Sequence, residues 1–290
     1  MPNSEPLRFL FIINPGSGNH DIDWPAAIDI FFASKPHKTD KFFFKPGCNT
    51  DIIKDKIKAA APDRVIAVGG DGTVKLVAEC LLHTNIAMGI LPAGSANGLA
   101  KELGIPASPE GALEYLLQPG TQKIHLLRIN NQLCVHLSDI GFNASVIKIF
   151  SSGKRRGMPG YILAAWKVLW KHAVMQVSIK IGDSIIKSQA AMIVLANATR
   201  YGSGAVINPA GRLDDELFEV VVIKKVSFTE IFKMMVTHRP YDKNKTELYQ
   251  AKSVAIESKK EVHFQVDGEY LGKVKNVQAE IIAGALLIIK

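Results

Sequence analysis

Cysteine is scarce: three residues in 290, at Cys48, Cys80 and Cys134, with no CxxC pair among them. That argues against a disulfide-stapled secreted domain and against a zinc site, and makes free thiols in a reducing compartment the expectation. His125, His136, His172 and His263 are scattered and form no metal-binding cluster. No GxxxxGK[ST] occurs, which excludes a P-loop kinase. Gly70-Asp71-Gly72 is followed by Lys75 where a dinucleotide fingerprint needs Gly or Ala, which sets aside a Rossmann dehydrogenase. Long apolar runs are missing too. Residues 9–13 are too short for the core of a signal peptide, and residues 161–170 are interrupted by Lys167. A soluble, cytoplasmic protein without a transmembrane segment is expected. There is no internal repeat, low-complexity tract or charge block.

What is present describes a globular chain, 47% hydrophobic and 21% charged, long enough for one large domain or two ordinary ones. The formal net charge of +8 suits an anionic partner, whether nucleotide, nucleic acid or acidic membrane surface. The cations are spread without a basic stripe or aromatic platform, so nucleic acid is set aside.

The chain is organised around residues 65–74. Val65-Ile66-Ala67-Val68 reads as a buried strand, Gly69-Gly70-Asp71-Gly72-Thr73 follows, and a helix with Val74, Val77, Ala78 and Leu81 on one face begins. Glycine permits the sharp turn and close approach of a ligand, and the helix start offers free N–H groups to phosphate. Asp71 would repel phosphate unless a cation stood between them, which points to a magnesium nucleotide. The plainer alternative is a tight turn capped by Asp. Two further strands end in small-residue turns: residues 7–13 run into Asn14-Pro15-Gly16-Ser17-Gly18-Asn19, and residues 86–91 into Pro92-Ala93-Gly94-Ser95-Ala96-Asn97-Gly98. Strands and helices alternate through residue 117. This predicts a doubly wound parallel sheet with ligand at the carboxyl ends of its strands, where one nucleotide reaches all three turns.

Beyond Gln118-Pro119-Gly120 the period changes. Residues 123–129, 133–137, 174–181, 185–196, 217–224, 253–257, 262–266 and 277–289 read as antiparallel strands, with helices near 144–150, 161–172 and 228–238. The expectation is an α/β domain at 7–122, then a β-sandwich domain at 123–290, with the chemistry in the cleft between them.

Five ordered motifs carry a resemblance. Asn14-Pro15-Gly16-Ser17-Gly18, Gly69-Gly70-Asp71-Gly72-Thr73, the run from Gly89 to Ala100, Gly211-Arg212-Leu213-Asp214-Asp215-Glu216-Leu217 and Val266-Asp267-Gly268-Glu269 resemble the diacylglycerol kinase catalytic-domain superfamily. That superfamily includes soluble bacterial diacylglycerol kinases, YegS-like lipid kinases and sphingosine kinases. The resemblance implies a nucleotide-binding domain like those of phosphofructokinase and NAD kinase, followed by a β-sandwich. It implies ATP held by Asn14, Pro15, Gly16, Ser17, Gly18, Gly69, Gly70, Asp71, Gly72, Thr73, Lys75, Ser95 and Asn97, with Lys45 a further contact. Asp71 would order Mg²⁺ through water. Glu269 would be general base on the acceptor hydroxyl, with Asp267 beside it. A structural Mg²⁺ would bind Asp215 and the carbonyls of Arg212 and Leu217.

The chain departs from the pattern at three places. Lys75 and Leu76 replace an Asn and a Glu, Gly98 replaces an Asp, and Glu216 replaces a Gly. Ser95-Ala96-Asn97-Gly98-Leu99-Ala100 is similar to the small-residue form in sphingosine kinases. The implied partner is a lipid substrate at the inner membrane surface, visited transiently, and a homodimer stays open. An NAD kinase-like enzyme and a non-catalytic lipid- or nucleotide-binding homologue are the rivals. Several features keep two readings from the residues alone. Asp267-Gly268 is a hairpin turn or a catalytic loop. Asp214-Asp215 is a solvated pair or a metal ligand. Tyr161, Ile162, Ala165, Trp166 and Leu169 are core packing or the wall of an acyl-chain pocket. Lys154-Arg155-Arg156 is a solvated turn or a contact with anionic headgroups.

Overall fold

A computed structural model of the chain describes residues 5–18, 22–45, 47–152, 157–169, 174–201, 205–209, 211–226 and 242–290. Two compact units are present, Met1–Ile124 with Gly284–Lys290, and His125–Ala283.

In the first unit β1 (Arg8–Ile13), α1 (Trp24–Phe32), β2 (Lys38–Phe43), α2 (Thr50–Ala60), β3 (Arg64–Gly69), α3 (Asp71–Leu81), β4 (Ala87–Pro92), α4 (Gly98–Glu102) and α5 (Pro109–Tyr115) alternate as expected. The strands are parallel in the order β2-β1-β3-β4, the doubly wound arrangement. Every residue of β3 is buried, and all of β1 except Arg8. Covering helices leave these strands no face to solvent, hence their continuous apolar runs rather than alternation. Helix starts follow side-chain chemistry. Asn49 caps α2 by accepting from the Ile52 amide at 3.1 Å.

The expected division at 122/123 placed the whole C-terminus in the second domain. Gly284–Lys290 instead groups with the first unit, where Ile288 pairs with Met88 in parallel and the Lys290 amide donates to the Gly120 carbonyl at 3.0 Å. A parallel partner distant in sequence leaves no local signal, because the pairing is set by the sheet edge and not by a turn.

The second unit follows from β5 (Thr121–Ile129), which runs across the division. It contains β6 (Gln132–Cys134), β7 (Leu137–Gly141), α6 (Phe142–Ser152), α7 (Gly157–Leu169), β8 (Met175–Ile181), β9 (Ser184–Ala190), β10 (Met192–Ala196), β11 (Arg200–Tyr201), β12 (Ala205–Val206), β13 (Phe218–Ile223), β14 (Thr246–Ala251), β15 (Ser253–Val266) and the greater part of β16 (Glu269–Ile289), whose residues 284–289 belong to the first unit. Strands run in the order β14-β13-β10-β7-β15-β16, and β15 also pairs with β8, which pairs with β9. Consecutive residues of β10 and β13 enter different cores. Ile193, Leu195, Val220 and Val222 pack with Val177 and Ile179 of β8, while Met192, Val194, Val221 and Ile223 pack with Val146 of α6 and Ala164, Ala165 and Val168 of α7. The period of two thus buries both faces of the sheet, one under strands and one under helices.

Two single strands expected from sequence are each divided. Residues 133–137 separate into β6 and the start of β7, and residues 185–196 break at Ala191, whose amide donates to the Ile223 carbonyl. The expected helix at 228–238 lies outside the described residues, as do Asn19, Trp170, His172 and the Lys154-Arg155-Arg156 triplet. On α7, Ala165 is buried but Trp166 is 45% exposed, so the apolar stripe of that helix is not wholly core. No described helix is long and apolar enough to cross a membrane. Cys48, Cys80 and Cys134 form no disulfide, and burial pushes the Cys80 thiol up to about 11, which keeps it protonated and unreactive.

Arg64, 7% exposed at the start of β3, donates to the carbonyls of Leu116 and Gln118 and ties the strand to the chain beyond α5. Arg64→Leu leaves those carbonyls without their donor. It is expected to lower stability by about 2–3 kcal/mol, read as a lower urea midpoint with an unchanged m-value.

Candidate active site

The turns after β1, β3 and β4 are joined to one another by backbone and short polar side chains. The Asn14 amide donates to Val68 O at 3.0 Å, and its side chain both accepts from the Gly16 amide at 3.0 Å and donates to Thr73 Oγ at 3.1 Å. The Ala93 amide donates to Gly69 O at 2.9 Å. The Asp71 carboxylate crosses to the third turn, where Oδ2 accepts from the Asn97 amide at 3.1 Å and Oδ1 from the Gly98 amide at 2.7 Å. Asn97, at φ +51°, closes that turn on itself. Its side chain accepts from the Gly94 amide at 2.9 Å and donates to Gly94 O at 2.7 Å.

Such close approach requires glycine. A Cβ on Gly18, at φ +74°, would stand 2.0 Å from Ala93 O, and one on Gly94 would stand 2.5 Å from the Gly70 Cα. Gly70 caps α3 without a side-chain hydrogen bond, so the first turn of that helix presents backbone N–H groups at the positive end of its dipole. Beside these turns lies a cavity of about 470 Å³ lined by Asn14, Pro15, Ser17, Gly18, Gly94 and Ser95, together with Asp23, Trp24, Pro25 and Phe43.

The last four were not singled out in the sequence. Asp23 caps α1 by accepting from the Ala26 amide at 3.1 Å, and the Asp-x-Pro start of that helix was the available signal. Lys45 is exposed beyond the end of β2, and Lys75 is half-buried on α3; neither is among the lining residues. Asp71 and Asn97 hold the turns in shape, and a carboxylate with about four acceptor positions keeps two in hand beyond the amides it binds.

In the second unit Val266-Asp267-Gly268-Glu269 is a two-residue hairpin between β15 and β16. Val266 pairs with Glu269, and φ is +51° at Asp267 and +83° at Gly268. Positive φ at both central residues is the primed turn that Asp-Gly favours, so the hairpin reading holds at this position. The Asp267 carboxylate accepts from the amides of Val135 at 3.1 Å and His136 at 2.9 Å, while its own amide donates to Leu137 O at 2.9 Å. It fastens the hairpin to the segment between β6 and β7 and is engaged as an acceptor. Glu269 is exposed at the start of β16. The arrangement can present one solvated carboxylate from a turn whose backbone is held on two sides.

Arg212, Asp215 and Leu217 lie before β13. Asp215 Oδ1 accepts from the Leu217 amide at 3.3 Å, Arg212 pairs with Asp214 at 3.0 Å, and Glu216, at φ +54°, pairs with Lys252 at 3.0 Å. The left-handed backbone at Glu216 is the conformation that glycine, the residue the resemblance implies there, adopts without strain. One carboxylate and two carbonyls are hard oxygen donors, which fit a magnesium ion that keeps several waters. Among the described residues no group of three acidic, His or Cys side chains is placed to hold a metal.

Gly94→Ala forces the second and third turns apart. It is expected to weaken magnesium-ATP binding by roughly tenfold or more, measured by titration calorimetry, while the far-ultraviolet circular dichroism spectrum is unchanged. Wild-type affinity in that variant would separate the turns from nucleotide binding.

The family model for the diacylglycerol kinase catalytic domain matches residues 8–129, and that for the YegS C-terminal NAD kinase beta sandwich-like domain matches residues 138–290. A protein of Chromohalobacter salexigens named "probable lipid kinase YegS-like" is 27% identical over 234 residues, 78% of this chain and 75% of that protein. A diacylglycerol kinase of Staphylococcus aureus is 24% identical over 277 residues, 92% and 87% of the two chains. Among solved structures, a diacylglycerol kinase of Bacillus anthracis superposes with a TM-score of 0.70 at 20% identity, covering 99% of this chain and 97% of that one. An NAD kinase of Archaeoglobus fulgidus in complex with ATP superposes at 0.58 and 11% identity, covering 98% and 94%. The structural likenesses show a shared fold, and the two family models span most of the chain, which therefore belongs to the diacylglycerol kinase catalytic-domain superfamily with a YegS-type C-terminal domain.

Proposed function

We propose that the protein transfers the γ-phosphoryl group of magnesium-ATP to a hydroxyl of a membrane lipid, diacylglycerol or a sphingoid long-chain base. The observation that carries this is the meeting of three glycine turns at the carboxyl ends of parallel strands, beside a cavity of about 470 Å³. In this reading backbone N–H groups at the start of α3 and in the Asn14–Gly18 turn hold the phosphates, and Ser95 offers a hydroxyl from the cavity wall. Asp71 holds the third turn against the second and keeps acceptor positions for the waters of a metal ion. Magnesium would neutralise phosphate charge as the group transfers, the main requirement of phosphoryl transfer. Glu269 takes the proton of the lipid hydroxyl. Asp267 is the clamp that positions the hairpin, rather than a second base. Contact with the membrane would be peripheral and transient.

The fold shared with an NAD kinase keeps a second reading, in which the acceptor is a nucleotide hydroxyl. A panel assay separates the two. Labelled phosphate from γ-labelled ATP is followed into diacylglycerol, monoacylglycerol, sphingosine, dihydrosphingosine, ceramide and phosphatidylglycerol in mixed micelles, with NAD as a parallel acceptor. Transfer to one lipid is expected, with kcat reduced roughly a hundredfold in Glu269→Gln. NADP as the product would establish the second reading. Magnesium-ATP binding without transfer to any acceptor would leave a non-catalytic homologue.

A further inference from the structure

Asp139 on β7 is a carboxylate with 1% exposure, and a charge so placed must be met by donors. Three meet it. The Ala144 amide donates to Oδ1 at 2.8 Å, Asn143 Nδ2 donates to Oδ2 at 2.8 Å, and Gln265 Nε2 donates to Oδ2. Asp139 and Gln265 are paired residues of the antiparallel β7 and β15, so the backbone register brings the two side chains together.

A carboxylate accepts and does not donate, so it fixes which end of the Gln265 amide faces it. The opposite end, Oε1, then points along β15 and accepts from the Gly268 amide at 2.7 Å. That amide belongs to the second central residue of the Asp267-Gly268 turn, one residue before Glu269. At the far side the Tyr161 hydroxyl, on α7, donates to Asn143 Oδ1. The direction of each of these hydrogen bonds is thereby set along the series from Tyr161 through Asn143, Asp139 and Gln265 to Gly268. Gln265 is wholly buried and Asn143 is 3% exposed.

We propose that Asp139 and Gln265 are positioning residues for Glu269, holding through the Gly268 amide the turn from which it projects, and that Asn143 and Tyr161 extend that hold to α7. This rests on the reading of Glu269 as the base. Asp267 secures one side of the hairpin to the β6–β7 segment, and the Gln265 amide secures the other. A hairpin held on one side only could rock about that clamp and carry the carboxylate away from the hydroxyl it must reach.

The test uses the full chain, γ-labelled ATP and the lipid panel above. Gln265→Met keeps the length of the side chain and removes both hydrogen bonds. It is expected to lower kcat roughly tenfold or more, with KM for magnesium-ATP changed by less than about twofold. Gln265→Glu places a second carboxylate against Asp139. Two buried carboxyls in contact raise the pKa of one of them, so the variant should fall towards Gln265→Met at high pH and recover kcat relative to wild type as pH falls through that raised pKa, because the protonated carboxyl again donates to Asp139 and accepts from Gly268. A side chain that only filled the core would show no such recovery. Tyr161→Phe removes one hydroxyl at the far end and is expected to lower kcat by roughly twofold to threefold; it carries the test, with the pH profile, if Gln265→Met does not fold. The proposal is overturned if Glu269→Gln is impaired while the folded Gln265 and Tyr161 variants keep wild-type kcat at every pH. Wild-type transfer by Glu269→Gln would instead remove the base reading, and the positioning role with it.

Discussion

The carboxylate of Asp71 accepting the amides of Asn97 and Gly98 is the contact that holds the turns of the first unit together. Parallel strands end side by side, but nothing in a sheet makes the loops beyond them agree. Here one side chain at the start of α3 reaches the turn after β4 and holds it, while glycines let the backbones approach until only hydrogen atoms separate them. The same residue that a sequence reading marks for its charge is thus also a structural clasp. A carboxylate serves both purposes because two amides leave it further acceptor positions.

The second unit solves a different problem. Its antiparallel sheet is buried on both faces, so β10 and β13 carry apolar residues at nearly every position and lose the alternation that usually announces an antiparallel strand. The polar groups of Asp139, Asn143 and Gln265 are gathered where β7 and β15 pair, and they end at a hairpin turn. In this arrangement the buried polar groups serve to hold backbone, and the exposed carboxylate of Glu269 is left to the solvent side.

Much of the candidate site was legible because its chemistry is local. Strand, glycine turn and helix start lie within ten residues of one another at 65–74, and Asp267-Gly268 names its own turn type. What could not be read is the use of particular side chains. Asp267 and Asn97 stand in motifs implied to be functional, yet each side chain is bonded to backbone amides. Asp23, Trp24, Pro25 and Phe43 join the cavity because α1 and β2 come to it through the fold, and no spacing records that. Gln265 and Asp139 are 126 residues apart, and a single Gln in a strand carries no sign that it faces a buried carboxylate.

By itself the sequence determined the two-part α/β and β-rich architecture, the glycine turns and the superfamily, since each rests on short-range periodicity or on motifs whose residues are contiguous. Tertiary structure alone decided where the C-terminal strand goes, which carboxylates are clamps and which is free to meet solvent, and how a buried amide is oriented. These depend on pairing between strands far apart in the chain and on the need of buried polar groups for partners, which are brought together only once the chain is folded.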